Sequence, residues 1–122
     1  MRNLNGSAVV SSGTIDDIAE IKIDETDLAI EFATSGGNAL NAFEVYIKMH
    51  ANGARQRIAS LSADYTSPAK FIFAASGDLT VLANGTTGWL KMEHLGAIFS
   101  VIFKAKAAAG TETVTWNARA NG

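Results

Sequence analysis

Apolar and polar residues alternate with a period of two along most of the chain, the spacing of strands buried on one face. Ala19, Ile21 and Ile23 alternate with Glu20, Lys22 and Asp24. After the acidic turn Asp24-Glu25-Thr26-Asp27 the pattern resumes at Leu28, Ile30 and Phe32, which predicts two strands of one hairpin. The strongest run sets Phe43, Val45, Ile47 and Met49 against Glu44, Tyr46, Lys48 and His50, and a register slip of one residue there would expose four large hydrophobes. Asn52-Gly53 is expected to turn the chain through positive φ angles into a return strand from Arg55 to Leu61. Lys70 to Ala74, Trp89 to Leu95, Ala97 to Lys106 and Thr113 to Ala118 are further predicted strands. Ser76 to Gly88 reads as a crossover with room for one helical turn.

Eight or nine short strands and no long amphipathic helix predict an all-β fold, an antiparallel β-sandwich of jelly-roll type. Residues Met1 to Gly13 are small and polar around Ala8-Val9-Val10 and read as an N-terminal arm or edge strand. Residues 14–122 read as a single sandwich domain, with no linker or repeat to divide them.

With 48% hydrophobic and 18% charged residues among 122, the chain can bury a core, and with no cysteine it must do so without disulfides or thiolate-bound metal. The first residues lack the apolar centre of a signal peptide, and the densest apolar stretch, Ala97 to Phe103, is too short to span a bilayer. The expectation is a soluble product made in the cytoplasm, with no membrane partner. Charge is unevenly placed: Met1 to Glu31 carries seven acids against Arg2 and Lys22, a net of −5 against −2 for the whole chain, which leaves +3 for the remainder. Such asymmetry fits either acids that neighbour basic strands of their own domain or a head-to-tail contact between subunits. No Lys/Arg run occurs, so nucleic acid is not an expected partner.

Candidate chemistry is sparse. His50 and His94 lack a neighbouring nucleophile motif, and His94 beside Glu93 on a strand would point to the opposite face. Asp16-Asp17 and Asp24 to Asp27 lack the ligand spacing of an EF-hand, leaving at most a weak calcium site. Gly85-Thr86-Thr87-Gly88 is followed by Trp89-Leu90 rather than Lys-Ser/Thr, so it is a turn and not a phosphate loop. No pair of carboxylates is singled out among 12 acids. The expectation is a protein that is not an enzyme and needs no cofactor. Trp89, Trp116 and Tyr65 could form a platform for sugar rings. Against this, Trp116 alternates in register with Val114 and Ala118, as a core residue would.

Several segments carry a resemblance: Phe43-Glu44-Val45-Tyr46-Ile47, Asp64-Tyr65-Thr66-Ser67-Pro68, Ser76 to Gly85, Gly88-Trp89-Leu90-Lys91-Met92 and Gly110 to Ala118. From about Ala42 onward, roughly two thirds of the chain, the sequence resembles small β-sandwich structural proteins of bacteriophage virions; residues 1–41 fall outside the pattern. The resemblance implies a virion location, a capsid decoration or accessory role, and major capsid or other virion proteins as partners. It supplies no catalytic residue. A carbohydrate-binding module using exposed aromatics is the alternative. Homo-oligomerisation is expected, with a trimer the first expectation because it suits local threefold positions on a shell. Leu4, Ala8, Val9 and Val10 are the candidate partner contacts, an apolar run that could pair with a neighbour's sheet edge.

Overall fold

A computed structural model describes residues 1–34, 40–60, 75–78 and 87–122. Among them nine strands form two antiparallel sheets: β1 (Arg2–Ser11), β2 (Asp16–Lys22), β3 (Asp27–Thr34), β4 (Leu40–Lys48), β5 (Gln56–Ser60), β6 (Ala75–Asp78), β7 (Thr87–Met92), β8 (Ser100–Ala107) and β9 (Thr111–Asn121). One sheet runs β1-β9-β3-β7-β6 and the other β2-β8-β4-β5. The pairs β4 with β5, β3 with β7, β2 with β8 and β1 with β9 nest inside one another, as in a long hairpin rolled up on itself. This is the jelly roll, with β6 added beyond β7.

Alternation decides which side chains enter the core. Leu28, Ile30 and Phe32 from β3, Phe43, Val45 and Ile47 from β4, and Val101, Phe103 and Ala105 from β8 are all buried between the sheets. At the centre Phe32 meets Phe43 edge-on at 4.8 Å between ring centroids and Phe103 at 5.1 Å, so three rings from three strands tie the sheets together. Leu95 and Ile98, on the connection between β7 and β8, are buried as well. They are held by Leu95 N–H donating to Thr26 O at 2.7 Å and Ile98 N–H to Leu95 O at 2.8 Å.

Several sequence expectations are corrected. The acidic turn does not close a hairpin, because β2 and β3 belong to opposite sheets. A short turn between alternating strands is equally compatible with a crossing between sheets, and only the pairing partners distinguish the two. The β4–β5 connection is a hairpin, with Gly53 N–H donating to His50 O at 2.9 Å, yet neither Asn52 nor Gly53 has a positive φ. Met49 lies beyond the end of β4 and is exposed, so the inward run stops at Ile47. Ser76 belongs to strand β6, not to a helical crossover. His94 follows β7 off the strand with φ 62°. Phe71, Phe73 and Tyr65 lie outside the described residues.

Candidate functional site

The two outer faces of the sandwich differ in how their polar groups are used. On the four-stranded sheet the charges neutralise one another. Arg55, from the approach to β5, donates to Asp17 at 2.8 and 2.9 Å and to Glu20 at 3.2 Å on the far edge strand β2. Ser100 donates to Glu20 at 2.9 Å, Arg57 and the Tyr46 hydroxyl donate to Glu44 at 3.2 and 2.7 Å, and Lys104 lies 3.9 Å from Asp17. This roof explains Ile102. It alternates onto the outer face between Glu20 and Tyr46, yet it is fully buried and lies outside the core cluster. The acid-rich N-terminal third and the basic remainder therefore meet within one domain.

The Arg55 hydrogen bond holds the Asp17 carboxyl below its usual value of 3.8, with the Arg55 and Lys104 charges assisting and partial burial opposing. A depressed folded-state pKa stabilises above the unfolded value, and the benefit is lost as pH falls through the folded one. Asp17→Asn is therefore expected to be less stable than the wild type at neutral pH. The deficit should be about 1 kcal/mol or less for so solvent-exposed a pair. Urea melts as a function of pH should show it shrinking below pH 3.8 and disappearing in stronger acid.

The five-stranded sheet is different at its rim and on its outer face. Its edge strand β1 pairs with β9 over ten residues, from Arg2 opposite Ala120 to Ser11 opposite Thr111, and has no strand on its other side among the described residues. Arg2 pins the start of the strand, donating to Glu25 at 3.0 and 2.9 Å and to Lys22 O at 2.6 Å. From Asn3 to Ser11 the edge carries no charge, no proline and no bulge, the devices that usually protect such an edge. Of the four nominated contact residues, Val10 is buried and Leu4 and Ala8 pack partly against the chain's own core, whereas Val9 is 67% exposed. Gly6 lies opposite Trp116, and a Cβ there would stand 2.8 Å from the indole, so the glycine makes room for a ring that leans on the core.

On the outer face of this sheet Trp89 stands 48% exposed beside a shallow, open hollow of about 320 Å³, lined also by Ala29, Glu31, Asn117 and Arg119. Register brings them together: Glu31 lies between Trp89 of β7 and Asn117 of β9, and Ala29 faces Arg119. The small side chain of Ala29 leaves the depression. Unlike the opposite face, this one shows no ion pair at Glu31 or Arg119 among the described residues. Alternation placed Asn117 on an outward face, but Glu31 and Arg119 had no sequence signal, because nothing local shows that β3 lies between β7 and β9.

The other nominated groups are scattered. His50 and His94 are exposed on separate connections. Asp17 and Glu25 are held by arginines, and no cluster of three metal-binding side chains occurs among the described residues. No helix there is long and apolar enough to cross a membrane.

No family model and no curated protein sequence matches the chain. Solved structures do. The SPBc2 prophage-derived protein YomS has a TM-score of 0.50 at 12% identity, over 97% of this chain and 95% of that one. A subunit of the disulfide-linked pili that form Bacillus endospore appendages has a TM-score of 0.50 at 13% identity, over 98% of this chain and 85% of that one. At such identities the likeness is one of fold. The disulfide linkage of those pili is not open to a chain without cysteine.

Proposed function

We propose that this chain is a non-catalytic structural protein of a bacteriophage virion, a decoration or accessory subunit that stabilises the assembled particle. The long uncharged edge of β1 carries the reading. Its outward backbone groups have no strand partner among the described residues, and strand addition from a neighbouring subunit would satisfy them while burying Val9. The jelly roll is an architecture used by viral capsid proteins, and the similar structures include a prophage-derived protein and a pilus subunit. Stabilisation would follow from mass action, since a subunit that binds the assembled lattice better than free capsid protein favours the lattice. Three copies, each lending its β1 edge to the next, would form a closed ring suited to a threefold position.

The test is to place lysines on the edge at Ser7 and Val9, two exposed positions where the fold itself loses little. The double variant Ser7→Lys, Val9→Lys is expected to keep the wild-type melting temperature, to sediment as a monomer and to lose attachment to purified particles. Unchanged mass and unchanged attachment would overturn the reading.

A further inference from the structure

We infer that the outer face of the five-stranded sheet is a binding site for a neutral glycan, centred on Trp89. The hollow itself lies on β3, β7 and β9, and only the polar row that continues from it reaches outward side chains of β1.

A pyranose offers two kinds of surface. One face of the ring presents polarised C–H groups, which pack on the electron-rich face of an indole, and the rim presents hydroxyls that both donate and accept hydrogen bonds. Trp89 supplies the aromatic surface, and Ala29 leaves space beside it at the level of the sheet. Around that space Glu31 can only accept, Arg119 can only donate, and Asn117 does both. None of the three makes a side-chain hydrogen bond or ion pair among the described residues. A few convergent polar groups around one apolar surface are the usual anatomy of a small-ligand site.

The rest of the face decides between occupants. Continuing the row from Trp89 through Glu31 and Asn117 leads to Asn5 on β1, and the neighbouring positions are Asn3, Ser7 and Thr115, all exposed. The row from Trp89 to Asn5 crosses three inter-strand spacings, roughly 14 Å, with its amides and hydroxyls on β9 and β1, and matches a chain of hydroxyl-bearing rings. A protein interface would need a cluster of large apolar side chains at its centre, and among the described residues there is none around Trp89. Glu31 and Arg119 balance each other's charge in the hollow, so it carries no net charge to draw in an ionised group, which suits a neutral oligosaccharide.

Trp89 and Trp116 give two indole N–H signals in a proton–nitrogen correlation spectrum, assignable through Trp89→Phe. The full chain is titrated to millimolar concentration with maltohexaose, cellohexaose, N-acetylchitohexaose and mannohexaose. At least one is expected to shift the Trp89 signal saturably while leaving Trp116 in place. Trp89→Ala should abolish that binding. Glu31→Ala and Asn117→Ala should each weaken it by about tenfold, with melting temperatures unchanged because both side chains are exposed. Silence across all four oligosaccharides overturns the inference, as does binding that survives Trp89→Ala. A change of solution mass in Trp89→Ala without a glycan response overturns it too, by showing a protein contact on this face.

Discussion

Replacing Phe32 with alanine is expected to lower the unfolding free energy by about 3–5 kcal/mol, the usual cost of deleting a fully buried aromatic ring from a close-packed core. Phe32 has no exposed surface and touches both other rings of the central triad, Phe43 at 4.8 Å and Phe103 at 5.1 Å. Its removal therefore leaves a cavity at the junction of the sheets and breaks two edge-on ring contacts together. The neighbours cannot collapse into the space, because Phe43 and Phe103 are fixed in register on β4 and β8 of the opposite sheet. Against a total stability of about 5–15 kcal/mol, such a loss should depress the melting temperature by on the order of 10–20 °C. Urea unfolding monitored by far-UV circular dichroism measures it: the midpoint should fall with the slope unchanged. A loss under about 1 kcal/mol would show that the ring is not packed between the sheets.

Deleting Met1 to Gly13 is expected to have the other large effect, loss of cooperative folding. The segment supplies a ten-residue edge strand rather than a loose arm. Without it Val10 leaves the core, Leu4 and Ala8 no longer cover their part of it, Trp116 loses the surface on which it rests, and β9 becomes an exposed edge. Burial of one valine contributes about 1.5–3 kcal/mol, and the ladder and the uncovered core add to it, so the total approaches the whole stability of a small domain. The truncated chain should bind a hydrophobic dye, lose its near-ultraviolet tryptophan signal and aggregate. Adding a synthetic peptide of the deleted residues should restore structure by pairing with β9. A truncated chain that melts like the wild type would show β1 to be dispensable.

Local pattern made the strands and their faces legible. Buried Leu28, Ile30, Phe32, Phe43, Val45 and Ile47 stand where a period of two puts them, because a side chain's face on a strand is fixed by its parity. The all-β class followed from the same pattern. Strand ends were less legible: β4 stops before Met49, and β7 stops before His94, where the backbone enters a left-handed conformation that no residue type announces. The N-terminal segment offered two readings, arm or edge, since its inward apolar side chains are few and small and one of them is glycine. Only Trp116 opposite Gly6 explains that absence of a side chain.

For the candidate sites the boundary is sharper. The sequence by itself offered Trp89 as an aromatic surface and Ala8-Val9-Val10 as an apolar edge run, and determined that no cysteine or nucleophile motif is present. Tertiary structure alone decided that Arg55 reaches Asp17 across the opposite sheet, that β1 ends a sheet, and that Glu31, Asn117 and Arg119 converge beside Trp89. The physical reason is that alternation encodes one face per strand but no neighbour. Neighbours in a jelly roll come from nested pairings such as β1 with β9, which join residues 100 to 118 positions apart through backbone hydrogen bonds open to almost any sequence.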